Sequence, residues 1–307
     1  MKIESHQLFT SASPATAIGR FGQFPVIRIF IAILFLVPVT ALHLGTKALM
    51  DMAPESVGAW LRYIDTIIFF GLFFLAYKIY VRVVEKRQAL EISSAGWLKE
   101  TGAGFLIGGC LLTSIVMILA LLGYYKIVEF NSPLILLTGF ITFGMGAFIE
   151  ELIFRLILFR LIEEFFGSWT ALIVLAVFFG FAHIINPNAT VITSLAIVLE
   201  AGILIGAAFM YTRRLWLVFG IHFAWNYFQS VIWGVRTSGE EFTGLIKPDI
   251  QGPVWLTGGD FGTEASILTV VFCLAIGVII LRLAIKRGQV VSPAWRRKKL
   301  ETMSATE

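Results

Sequence analysis

The chain has 307 residues, of which 58% are hydrophobic and only 14% charged, and its net charge is +4. A soluble domain carries about 25% charged residues. This composition, with a mean hydropathy of +0.86, therefore excludes an ordinary water-soluble globule and points to a chain largely immersed in lipid.

A basic excess in such a chain reports loop charges rather than nucleic-acid binding. The two cysteines, Cys110 and Cys273, both fall in apolar runs, which argues against a disulfide framework. In chain order, the first 24 residues lack a long apolar core and read as a polar cytoplasmic arm rather than a cleavable signal peptide. A spanning helix needs about 20 mostly apolar residues. Eight segments qualify, roughly 27–46, 63–82, 103–125, 136–161, 168–187, 191–211, 215–235 and 265–285. The runs are continuous rather than alternating, which favours helices over a barrel. The expected fold is an all-α polytopic membrane protein, a bundle of about eight transmembrane helices.

Basic residues set the expected orientation. Arg82, Lys86, Arg87 and Lys99 follow the second span, Arg213 and Arg214 lie between the sixth and seventh, and Lys286, Arg287, Arg296, Arg297, Lys298 and Lys299 follow the eighth. All three groups fall on one side of an eight-span chain, which makes that side and both termini cytoplasmic. The organisation then reads as an arm over 1–24, three transmembrane helices over 25–132 and a core of four over 133–235. An extracytoplasmic loop over 236–264 follows, then the last helix and a basic cytoplasmic tail over 265–307.

Ionisable groups inside spans are costly and usually face the bundle interior or a watery cavity. Here they are few. Glu150, Glu151 and Arg155 interrupt "GAFIEELIFRLILFR", His183 closes "FFGFAH", His222 and Asn226 sit in "FGIHFAWNYF", and Glu200 lies in the sixth span. Residues four apart share a helix face, so Glu151 can pair with Arg155, Phe179 lies above His183, and His222 lies above Asn226. Glu150 is turned about 100° from Glu151. A rise of about 1.5 Å per residue allows Glu150, His183 and His222 to share one layer within the membrane.

A carboxylate and an imidazole can activate water as a general base. A second imidazole and an amide can stabilise a developing oxyanion. No serine or cysteine accompanies a histidine at helical spacing, which disfavours an acyl-enzyme. Two histidines and a carboxylate are also a zinc-ligand set with an open position, although the H-E-x-x-H signature is absent. The residues alone leave open both a glutamate-activated water and a zinc held by His183, His222 and Glu150.

At these residues the sequence resembles a known family. "EELIFR" (Glu150, Glu151, Arg155), "FGFAH" (Phe179 to His183) and "HFAWN" (His222 to Asn226) follow one another on three expected helices. In that order they are similar to the motifs of the CPBP, or Abi, intramembrane proteases. That family includes type II CAAX prenyl endopeptidases and bacterial peptide-processing and self-immunity proteins. The resemblance covers roughly residues 133–235. It implies a membrane-embedded endopeptidase, labelled a metalloprotease in much of the family, although a glutamate-activated water that needs no metal fits the same residues and is favoured, with zinc as the alternative. It makes Glu150 the general base, His183 a holder of the attacking water, and His222 and Asn226 the oxyanion donors. Glu151 and Arg155 become the pair that holds Glu150 in position, with Phe179 in support. The implied partners are a peptide or the C-terminus of a lipidated protein, and the lipid bilayer. The alternatives are a non-catalytic immunity or peptide-binding membrane protein and, further off, a proton-coupled transporter, for which no duplicated half is visible. A bacterial plasma membrane is the expected location, and Glu200 has no role in the motif set.

Overall fold

The computed structural model describes residues 3–10, 12, 15–52 and 55–297. Lys298 and Lys299 of the expected basic tail lie outside the described residues. After a short helix α1 (Ala17–Gly22), a long helix α2 (Pro25–Asp51) begins with proline in its first turn, where the missing N–H has no intrahelical partner to lose. It runs beside α3 (Glu55–Val83), and Asp65 ties the pair together by accepting from the Thr46 hydroxyl at 2.6 Å and lying 2.8 Å from His43 Nδ1. Next come α4 (Trp97–Leu121), α5 (Ile135–Glu151) continuing into α6 (Arg160–Phe166), and α7 (Ser168–Ala182). The chain then forms α8 (Val191–Ile197) running into α9 (Ile203–Thr212), α10 (Leu215–Asn226), a short α11 (Val254–Thr257) and α12 (Ile267–Lys286).

Among the described residues, six helices are long and apolar enough to cross a membrane. The other two expected spans are also helical, but each is divided by wider turns. The stretch joining α5 to α6 (Leu152–Phe159) is π-helical, as is Tyr227–Ile232, which extends α10. A third π-helical stretch, Val198–Gly202, joins α8 to α9. π-helical turns are rare and occur mostly at functional sites. Here Glu151 directly precedes the first, Glu200 lies within the second in chain order, and Asn226 directly precedes the third.

One core runs through the whole bundle, from Ala32 and Leu36 in α2 to Ile280 and Ala284 in α12. The position of α10 within it is set by its crossing with α4. A Cβ added to Gly104 would come within 2.3 Å of Leu217 O, one on Gly108 within 2.4 Å of Ile221 O, and one on Gly220 within 2.3 Å of Thr101 O. Small residues on both helices thus let the backbones touch, a common way to pack helices in lipid, where no hydrophobic drive separates helix from solvent. The crossing brackets His222 and so fixes its depth and azimuth.

Two features depart from the expectation. The segment after α4 turns at Gly123 and forms β1 (Tyr125–Phe130), which pairs antiparallel with β2 (Ile246–Ile250), Tyr125 opposite Ile250 and Phe130 opposite Ile246. The third span therefore ends earlier than 125, and the long loop over 236–264 carries a strand rather than only coil. The second departure concerns the basic loops. Arg87, Arg213 and Arg214 are buried, not free surface charges. Arg87 bridges Glu85 at 2.8 Å and Glu91 at 2.7 Å, and Arg214 pairs with Glu100 at 3.0 Å. Arg213 pairs with Glu163. Arg28 and Arg160 also converge on Glu85, at 3.3 and 2.8 Å. These clasps join α2, the loop after α3, α6 and the α9–α10 turn at one end of the bundle.

Candidate active site

Every residue singled out within the spans lies in or directly behind one cavity of about 300 Å³. Its walls include Glu150 from α5, Phe179 and His183 from the end of α7, and His222 and Asn226 from α10. Glu200 lines it from the second π-helical stretch. Thr237, Ser238, Glu240 and Glu264 close it from the loop over 236–264.

The adjacent glutamates have opposite environments. The Glu151 side chain is fully buried, whereas that of Glu150 is 38% exposed and faces the cavity. Adjacent helical residues diverge by about 100°, so one cannot follow the other into the packed interior. Glu151 Oε2 lies 3.3 Å from Arg155 Nε, one turn on. Its Oε1 lies 2.8 Å from His222 Nδ1. Glu151 thus connects the first motif to the third, and its partners are Arg155 and His222 together. Helical spacing in the sequence pairs it with Arg155 alone.

This second contact orients His222. With Nδ1–H donating to Glu151, Nε2 is directed to the other side of the ring, where Glu150 Oε2 lies 3.9 Å away. Nε2 then donates to a third group only in the doubly protonated imidazolium, and a carboxylate beside each ring nitrogen is the surrounding that suits that ion. His183 is held differently: its Nδ1 lies 2.8 Å from the Phe179 carbonyl oxygen. The N–H must be on Nδ1 to donate there, which leaves Nε2 as an acceptor in the neutral ring.

Phe179 is the hub between the motifs. The Arg155 guanidinium sits 4.9 Å from its ring centre, a cation–π distance. The His183 ring is 4.9 Å away and the His222 ring 6.0 Å, edge-on. Phe179 thereby covers the buried cation of Arg155, which Glu151 neutralises from the other side. Asn226, one turn beyond His222, lines the cavity on the same helix face.

These residues fall within a single family match. Residues 131–228 match the Rce1-like family of type II CAAX prenyl endopeptidases. The Rce1-like stretch runs from just before α5 into the π-helical turns after α10 and contains all three motifs. The match covers about a third of the chain and accords with the resemblance carried by Glu150, Glu151, Arg155, Phe179, His183, His222 and Asn226. No curated protein and no solved structure matches the chain.

The zinc alternative needs His183, His222 and Glu150 to act together as ligands. Among the described residues, no group of three or more His, Cys, Asp or Glu side chains is arranged to hold a metal ion. Glu150 and His222 face each other at 3.9 Å, and the Nδ1–H of His222 that donates to Glu151 leaves Nε2 on the cavity side.

The loop over 236–264 supplies cavity residues that the motifs do not mark, Glu264 and Ser238 among them. Glu264 lies in the turn before α12, yet it is buried and accepts from the Ser238 backbone N–H and from the Ser238 hydroxyl at 3.2 Å. Ser238 itself comes from the loop over 236–264. Only an acidic residue just before an apolar run marked Glu264 in the sequence, and many surface residues have that signal. Glu200, which had no role in the motifs, is placed in the same cavity.

Proposed function

We propose that the protein is an intramembrane endopeptidase in which Glu150 activates a water molecule for attack on a peptide bond. The observation that carries this reading is the unequal placement of the paired glutamates. Glu150 is half-exposed in the cavity and faces His222, while Glu151 is buried behind it and holds both His222 and Arg155.

The steps follow from these positions. Glu150 takes a proton from water as the hydroxyl oxygen adds to the scissile carbonyl carbon. His183, with Nδ1–H held by the Phe179 carbonyl, offers Nε2 as an acceptor that orients the same water. The carbonyl oxygen becomes an oxyanion, and His222 Nε2–H and the Asn226 amide donate to it. Glu150 then passes its proton to the departing amine as the carbon–nitrogen bond breaks, leaving a carboxylic acid and an amine. Glu151 and Arg155 touch no reacting atom in this scheme: they position His222.

The substrate is a peptide that enters the bundle from the bilayer or its surface, such as the C-terminus of a lipidated protein. The catalytic core spans 133–235, flanked by three helices before it and one after. The ion-pair clasps around Glu85 and Glu163 mark the cytoplasmic end, and both termini lie on that side of a bacterial plasma membrane. The test is cleavage of a peptide library, prenylated and not, by the purified protein and by Glu150→Ala. Cleavage by the first alone supports the assignment, and equal cleavage by both refutes it.

A further inference from the structure

The cavity has a second acidic wall that the hydrolytic scheme does not use. Four carboxyl groups line it, those of Glu150, Glu200, Glu240 and Glu264, and no lysine or arginine is among its lining residues. Glu150 has His222 beside it. Among the described residues, Glu200 and Glu264 have no arginine, lysine or histidine at ion-pair distance, although they are only 2% and 4% exposed, and His222 acts on Glu264 only from further off. Glu264 is furnished with two donors from Ser238, which suit its ionised form. The polar neighbours of Glu200 are the Cys273 thiol and the Glu264 carboxyl, and neither neutralises a negative charge.

Two neighbouring carboxyls shielded from water do not both ionise unless a cation joins them. A buried carboxylate with no cation is costly, and the cost is offset when one is supplied at close range. The walls of this cavity supply one, the His222 imidazolium, which Glu150 and Glu151 already flank. A volume of about 300 Å³ is at the small end of ligand sites and suits one or two side chains of an extended peptide.

We infer that Glu200 and Glu264 form a subsite for a cationic side chain, so that the peptide cut here carries a lysine or arginine beside the scissile bond. The inference rests on the proteolytic reading and narrows its substrate class. A free C-terminal carboxylate or an acidic side chain next to the scissile bond would instead face four carboxyl groups against the single imidazolium of His222.

The test uses full-length protein in detergent and peptides from the library that differ only at the residues flanking the cut, with Lys, Arg, norleucine or Glu in turn. For wild type, kcat/KM for Lys or Arg should exceed that for norleucine at least tenfold, with Glu cut slowest. In the double variant Glu200→Gln, Glu264→Gln the Lys-to-norleucine ratio should fall below threefold, whatever the absolute rate. Where the double variant fails to fold, the same ratio is read on each single variant and should fall at least threefold in one of them. Equal cutting of Lys and norleucine by wild type, or a ratio that survives the substitutions, overturns the subsite and leaves the protease reading intact. No cleavage of any peptide overturns the protease reading, and the subsite falls with it.

Discussion

Glu150 and Glu151 are the same residue type, side by side on one helix, and should fail in opposite ways when changed to alanine. In Glu151→Ala, Arg155 loses its one carboxylate partner at ion-pair distance while remaining 2% exposed, and His222 Nδ1 loses the acceptor at 2.8 Å. Removing one partner of a buried ion pair costs about 3–5 kcal/mol because the other charge is left uncompensated. The Phe179 ring offsets part of that, by about 1–2 kcal/mol for a desolvated cation–π contact. A net loss of about 1–4 kcal/mol is therefore expected. Glu150→Ala removes a half-exposed side chain whose one charged neighbour is 3.9 Å away. Contacts of that kind are worth about 0–1 kcal/mol. Thermal unfolding of both variants in detergent, followed by tryptophan fluorescence, measures the contrast. Glu151→Ala should lower the midpoint clearly, whereas Glu150→Ala should stay close to wild type. If the two variants shift the midpoint equally, or if Glu150→Ala is the worse, the division of labour between the glutamates is wrong.

Three further outcomes are expected. Gly108→Val should separate α4 from α10, because even a Cβ there meets Ile221 O at 2.4 Å. Overpacking of this kind costs about 1–3 kcal/mol, and turnover should drop with stability as His222 moves. Gly45→Ala, with nothing within 4 Å of its added Cβ, should leave both unchanged in the same two assays. In the clasp, burial alone would raise the Glu85 and Glu91 carboxyls, but the facing arginines outweigh it and hold both below the ordinary carboxylate range. A carboxyl depressed in the folded state contributes stability at pH above its unfolded value of about 4.3 and loses it as the pH falls through the folded value. The unfolding midpoint should therefore fall on acidification below about pH 4. Glu85→Gln should weaken that dependence while lowering the midpoint at neutral pH, and an unchanged acid dependence would refute the clasp.

Much of the site was legible because lipid makes charge conspicuous. Glu150, Arg155, His183 and His222 stand out in apolar runs, and helical spacing alone places Glu151 beside Arg155 and His222 above Asn226. The spacing did not show that Glu151 also reaches His222, a contact between residues 71 apart in sequence. That contact depends on the depth of the α4–α10 crossing, which glycines allow but do not announce. Glu264 was hidden for the same reason: a loop residue becomes a cavity residue only when the loop folds back over the bundle. The β1–β2 ribbon escaped because its strands are short, far apart in sequence and exposed along much of their length. The buried arginines at the clasp read as loop charge, since composition cannot distinguish a cation facing water from one facing Glu85.

The most direct test of the central claim is peptide cleavage by Glu150→Gln beside wild type, on protein whose folding has been verified by its unfolding midpoint. Glutamine keeps the size of the side chain and removes its capacity to take a proton from water. Because general-base catalysis contributes about 10²–10⁴-fold, the account predicts a folded variant whose turnover falls by at least 100-fold. A folded Glu150→Gln protein that cuts the same peptides at the wild-type rate would contradict it.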